Sequence, residues 1–396
     1  MPRIDMSEES RAECAALVDT VRRFGEREIA PHVDAWDAAG EFPRALYGRA
    51  AALGLLGLGY PEALGGTPAT HALKVAMTVA IARHGASGGV LASLFSHNIG
   101  LPPVLLHASE AVRHEVIPPV LRGEQIAALA ITEPGGGSDV AALRTAARRA
   151  TDPEGEHYIV NGEKTFITSG MRADWLSVAV RTGESRGAAG ISMLLVPGDA
   201  AGLSRTRLAK MGWLCSDTAT LHFDNVRVPA RYLLGDEGVG FRMIMGNFNG
   251  ERLALAAGAL GFAQACLDEA LAWARARKTF GAALIDHQAV RHKLADMQMR
   301  IASTKAWIDA VAAQGDALET QGIANAAEWV AAICLLKNHA TQTMQFCADA
   351  AVQILGGMGF MRGTVSERIY REVKVMMIGG GAEEIMKELA AKQLGW

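Results

Sequence analysis

The segment from Gly246 to Gly281, GNFNGERLALAAGALGFAQACLDEALAWARARKTFG, sets one carboxylate, Glu251, between an Asn/Gly-rich stretch and a long apolar stripe. A carboxylate held at a fixed place beside a bound molecule can remove a proton from it. Leu253, Ala257, Leu260, Leu267, Leu271 and Ala274 recur with the period of a helix that buries one face. Asn249 is expected to cap that helix and Gly250 to permit the turn before it. Glu251 then sits in the first turn, facing the positive end of the helix dipole, a position that on its own stabilises a helix by a few tenths of a kcal/mol. Arg275, Arg277 and Lys278 form a cationic exit that offsets the opposite end of the dipole.

A second chemical signal is Ile131-Thr132-Glu133-Pro134-Gly135-Gly136-Gly137-Ser138-Asp139. Consecutive glycines let backbone N–H groups approach a ligand closely, and Thr132 and Ser138 add hydroxyls. No Gly-Lys-Ser/Thr follows, so this is not a P-loop, and no G-x-G-x-x-G opens a helix after a strand.

These residues need elements to hold them. The chain has 396 residues, half of them apolar and a fifth charged, which is ordinary globular composition with room for two or three cores. The net charge is −3 and there is no basic block, which argues against nucleic acid as a partner. No uninterrupted apolar run reaches the ~18–20 residues that span a bilayer. The N-terminal MPRIDMSEESRAEC is charged and lacks an apolar signal core, so a cytoplasmic protein is expected. The five cysteines form no CxxC pair and read as free thiols. His84, His97, His107 and His114 show no ligand spacing, and no metal is expected.

Residues 1–126 read as an N-terminal helical domain, with starts at Ser7-Glu8-Glu9-Ser10 and Phe42-Pro43, helices near 70–84 and 90–106, and Ser109 capping a fifth. Residues 127–237 read as a central β domain, an antiparallel barrel or sandwich, with strands at 157–160, 164–168, 176–180, 191–196 and 219–223. Asn161-Gly162 is its sharpest hairpin signal. Residues 238–396 read as a C-terminal helical bundle, with helices near 246–277, 286–315 and 323–355.

Five segments in register, TEPGGGSD, NGEKTFITSG, MGWLCSDTATLHFDNVRVP, ARKTFGAALIDHQAVRHKLADM and VQILGGMGF, resemble the acyl-CoA dehydrogenase family over nearly the whole chain. The resemblance implies a mainly α fold with a central β domain and a C-terminal four-helix bundle, usually tetrameric. It implies FAD as cofactor, an acyl-CoA substrate oxidised to trans-2-enoyl-CoA, and electron-transferring flavoprotein as acceptor. By the same resemblance Ile131, Thr132, Gly137 and Ser138 line the flavin and its pyrophosphate, with Ser138 also beside the substrate. Phe166, Ile167 and Thr168 run along the isoalloxazine. Arg277, Thr279 and Phe280 reach a neighbouring subunit's FAD, and His287, Gln288, Gln353, Gly356 and Gly357 add contacts. Ala382, where relatives carry a threonine, and Glu384 fall on the flavin side.

Many members carry the catalytic base in a C-terminal Tyr-Glu-Gly-Thr segment. Here that segment reads Met377-Ile378-Gly379-Gly380-Gly381-Ala382, and the glutamate position falls on Gly380. The long-chain and isovaleryl-CoA dehydrogenases place the base in a Glu-Arg-Leu segment instead, which here is Glu251-Arg252-Leu253. The resemblance therefore implies Glu251 as base. Gly380 is implied to offer its N–H to the thioester carbonyl, where negative charge develops, with Asn249, Arg252 and Gly381 contacting substrate. Two other readings stand on the same residues: a flavin monooxygenase or oxidase, and a flavin-bound protein without catalysis.

Overall fold

The computed structural model describes residues 8–183, 185, 187–323 and 325–396. Ser7, part of the expected first helix start, lies outside them. The amino-terminal third is helical: α1 Glu8–Phe24, α2 Val33–Ala39, α3 Ala45–Ala52, α4 His71–Gly85, α5 Gly88–Leu94, α6 His97–Gly100, α7 Pro102–His107 and α8 Glu110–Leu121. The single helix expected near 90–106 is three short ones; Pro102 and Pro103 at the start of α7 account for the second break. Ser109 caps α8, accepting from the Val112 N–H.

The centre is an eight-stranded sheet: β1 Ala127–Ala130, β2 Ala146–Asp152, β3 Gly155–Thr168, β4 Trp175–Arg181, β5 Ile191–Pro197, β6 Leu203–Arg207, β7 Thr218–Pro229 and β8 Leu233–Leu234. Its order is β6-β7-β3-β2-β4-β5-β8, with β1 joined to β4. The pairs are antiparallel except β1 with β4 and β2 with β4, which are parallel. The Asn161-Gly162 hairpin does not form. Both residues lie inside β3, at a bulge where the register shifts against β7. Gly162 has φ 142°, and a Cβ there would stand 2.7 Å from the Thr145 Cα, so glycine serves a close strand approach, not a turn.

The carboxy-terminal part holds α9 Gly240–Ala276, α10 Gln288–Thr320, α11 Ala327–Leu355, α12 Gly357–Phe360, α13 Val365–Ile378 and α14 Glu383–Gln393. α9 begins six residues before the predicted Asn/Gly turn and runs through it for 37 residues. Gly240 packs on the Ile191–Ser192 backbone, and Met243 and Ile244 are buried, so tertiary packing holds helix where local propensity predicts a break. Asn249 is therefore an interior helix residue and not a cap, and Glu251 lies turns inside the helix, away from its dipole end.

Two cores follow. One unites the amino-terminal helices with the sheet; the other unites α4, α9, α10, α11 and α13. Among the described residues α9 is long and apolar enough to cross a membrane by length and composition, but 72% of that window is buried inside the protein, as befits the central helix of a bundle. All five cysteines are free.

Candidate active site

Glu251 is half-buried on α9, and its environment is built by three other elements. α13 ends at Ile378, and the chain turns through Gly379-Gly380-Gly381 before α14 starts at Glu383. Gly380 and Gly381 adopt φ of 66° and 112°, which L side chains rarely tolerate. The turn comes up against Glu251: its Oε1 lies 3.6 Å from where a Cβ on Gly380 would stand, and Leu255 Cδ1 lies 2.8 Å from the same point. A side chain at Gly380 would thus collide with Leu255 and press on Glu251.

Arg252 is buried beside it. Its Nε donates to the Gly380 carbonyl at 3.0 Å and its Nη1 to Asn249 Oδ1 at 3.2 Å. Asn249 Nδ2 in turn donates to Asn325 Oδ1 at 2.7 Å. From α11, the buried Lys337 Nζ donates to the Met377 and Gly381 carbonyls, each at 2.8 Å. Burial pushes the Glu251 carboxyl up to about 7, against the opposing pull of Arg252 and Lys337. Burial also lowers Lys337 to about 8. The result is a carboxylate poised near neutrality next to a constrained turn whose Gly380 N–H closes no backbone hydrogen bond among the described residues.

The glycine loop at 131–139 is fastened from the sheet. Buried Lys164 donates to the Ile131 carbonyl at 2.9 Å and to Glu133 Oε1 at 2.8 Å, and the Thr165 N–H donates to the Thr132 carbonyl at 2.8 Å. Gly137 and Ser138 stay exposed at the loop tip. At the end of β3 a second register shift brings Phe166 to φ 62° and leaves it 68% exposed, while Ile167 is buried and Thr168 half-buried. Arg277, Thr279, Phe280, His287 and Gln288 gather around the far end of α9. Phe280 is fully exposed and meets the His287 ring edge-on at 6.3 Å, and Thr279 Oγ1 lies 3.4 Å from His287 Nε2. Gln353, Gly356 and Gly357 lie exposed at the end of α11. Ala382 precedes α14, and Glu384 is exposed in its first turn.

One protomer does not bring these groups together. Glu251 and Arg277 are separated along α9 by a rise of roughly 39 Å. The residues present nevertheless fit a flavin dinucleotide. Gly135, Gly136, Gly356 and Gly357 face open space, with nothing within 4 Å of a Cβ, and two exposed aromatic rings, Phe166 and Phe280, stand on strained backbone. Sequence reasoning did not single out Lys164 or Lys337. The signal for Lys337 was its isolation in an apolar run, AAICLLKNHA, since a lone ammonium in a buried stripe must find acceptors.

Residues 11–124, 128–226 and 238–395 match the family described as acyl-CoA dehydrogenase, in its N-terminal, middle and C-terminal domains respectively. The chain belongs to the acyl-CoA dehydrogenase family. The mitochondrial long-chain specific acyl-CoA dehydrogenase of Rattus norvegicus is 35% identical over 95% of this chain and 85% of its own. A putative acyl-CoA dehydrogenase from Mycobacterium smegmatis superposes with a TM-score of 0.92 at 44% identity, over 99% of both chains. An acyl-CoA dehydrogenase from Bacillus anthracis, solved with FAD, superposes with a TM-score of 0.90 at 27% identity, over 100% of this chain and 69% of that one. This member is accordingly an FAD-dependent oxidoreductase of the acyl-CoA dehydrogenase class.

Proposed function

We propose that Glu251 removes the α-proton of an acyl-CoA thioester, giving the trans-2-enoyl-CoA. FAD, when bound, supplies the acceptor for the hydride leaving the β carbon. The observation that carries this reading is the reciprocal fit of Glu251 and Gly380. The position where many relatives carry the base has no side chain, and a carboxylate from α9 lies beside it, 3.6 Å from where a Cβ would stand. A carboxyl near 7 is matched to proton abstraction at neutral pH.

In this reading the Gly380 N–H receives the thioester carbonyl, where charge develops as the α-proton leaves. Arg252 holds the Gly380 peptide by its carbonyl and lies within reach of substrate along with Asn249, Gly381 and Ser138. Ile131, Thr132, Gly137, Ser138, Phe166, Ile167, Thr168, Ala382 and Glu384 hold the cofactor of their own protomer. Arg277, Thr279, Phe280, His287, Gln288, Gln353, Gly356 and Gly357 hold that of a neighbour, in a homotetramer. The length of α9 supports this division, since both ends of one helix cannot reach a single site. Domain limits at 126/127 and 237/238, and electron-transferring flavoprotein as acceptor, complete the proposal.

The test is product analysis. The holoenzyme given an acyl-CoA and an artificial electron acceptor is expected to yield enoyl-CoA, lighter by two hydrogens, with no more than background from Glu251→Gln. Enoyl-CoA from that variant at the wild-type rate would overturn the assignment.

A further inference from the structure

Lys337 is a buried cation for which no ion pair is found among the described residues. A buried ammonium is costly unless hydrogen-bonded and compensated. Its two hydrogen bonds go to Met377 O and Gly381 O, the carbonyls that bracket Ile378-Gly379-Gly380. Met377 is in the last turn of α13, where carbonyls lack helical partners. Within the bracket Gly380 adopts φ 66°, Gly379 and Gly380 carry no side chain, and the Ile378 side chain is exposed. A single cation thus ties both ends of the loop that carries the Gly380 N–H.

The groups that face Lys337 are Glu383 at the start of α14, Glu251 and Arg252 from α9, and Cys334 from its own helix. Glu383 is held elsewhere, accepting through its carboxylate from Gln342 and through its carbonyl from Asn338. Arg252 lies on the other side of the Gly380 peptide and holds its carbonyl. Glu251 therefore has two cations near it, and among the described residues Lys337 has two carboxylates near it, Glu383 and Glu251.

We propose that Lys337 is a positioning residue for the dehydrogenation: it fixes the Gly380 N–H against the thioester carbonyl and, by its charge, keeps Glu251 ionised as the base. This rests on the assignment of Glu251 and Gly380 made above. Lys337 touches neither substrate nor proton; it acts through the turn and through the field at Glu251. A donor displaced by about 1 Å loses much of its stabilisation of developing charge. An ammonium nearby favours the carboxylate over the carboxylic acid.

The experiment compares holoenzymes of wild type, Lys337→Met, Lys337→Arg and Glu251→Gln, with FAD occupancy and melting temperature recorded for each. Lys337→Met keeps the apolar stem and removes charge and donors. Its kcat is expected to fall about 10- to 100-fold with KM changed far less. The acid limb of its kcat/KM profile is expected to move to higher pH. Lys337→Arg restores the charge, so its limb returns to the wild-type position while kcat stays partly reduced. A Lys337→Met holoenzyme with wild-type kcat and limb would overturn the proposal. So would a lowered melting temperature or FAD occupancy that accounts for the whole loss, with the limb unmoved. If Glu251→Gln retains activity, the assignment of the base fails; if it is inactive while Lys337→Met is wild-type, only the role of Lys337 fails.

Discussion

Glu251 differs from the usual helix acid in where it sits and in what surrounds it. Burial raises its carboxyl to about 7, so a growing fraction is protonated and inactive as pH falls below that value. The kcat/KM of the holoenzyme is expected to rise with pH and level off above about 7, measured across pH 5.5–9 (roughly the span on either side of that value). The same shift bears on stability. Below the unfolded value of 4.5 the group is protonated in both states and contributes nothing; as pH rises toward 7 the unfolded chain ionises first, so the folded state loses stability. Glu251→Gln removes that penalty. It is expected to raise stability by about 1–3 kcal/mol at pH 8 and to leave it nearly unchanged near pH 4, in denaturant titrations. The residue types of this site were legible in the sequence, since Glu251-Arg252 and the missing glutamate at Gly380 stand in plain view. The partners of Lys337 were not, because they are backbone carbonyls, 40 and 44 residues further along the chain, which leave no mark in residue type.

At the scale of elements, α9 carries the account. Its start was misread because Asn249-Gly250 carries a strong local signal for a turn, whereas the burial of Met243 and Ile244 against the sheet is a long-range fact. The same error turned Asn161-Gly162 into a hairpin: a bulge and a turn both call for glycine, and only the register against β7 separates them. The polar strands β2 and β6 escaped notice because their exposed faces leave little apolar alternation to read. Within α9, Gly250 is helical, and a Cβ there would meet nothing within 4 Å. Gly250→Ala is therefore expected to stabilise the protein by about 0.5–1 kcal/mol in thermal or denaturant unfolding. Gly380→Ala should do the opposite. Its φ of 66° and the Leu255 methyl 2.8 Å from the new Cβ predict a loss of about 1–3 kcal/mol in the same measurements.

For the whole molecule, the helical–β–helical layout was readable from the alternation of long-period and short-period apolar patterns, and the family from five motifs in register. That Arg277, Thr279 and Phe280 serve a neighbour's cofactor was implied only by the family resemblance; the separation of Glu251 from Arg277 by the unbroken α9 was not legible in the sequence. The proposed sharing of sites between subunits has a consequence that single variants do not test. Arg277→Ala is expected to weaken FAD retention about 10-fold, as for a lost charge-assisted pair with phosphate. Mixed oligomers of Arg277→Ala and Glu251→Gln chains are expected to recover part of the activity that each lacks alone, because some sites then receive an intact residue from each chain. Activity in the mixture no greater than the sum of the parents would place both residues at one protomer's site.

Whether Glu251 is the base is tested by anaerobic flavin absorbance during titration with a panel of acyl-CoAs, in wild type and in Glu251→Gln with FAD bound to both. Bleaching of the wild type with at least one acyl-CoA is expected, slowed in the variant by at least about 100-fold. Equal bleaching of the two proteins would remove Glu251 from the mechanism.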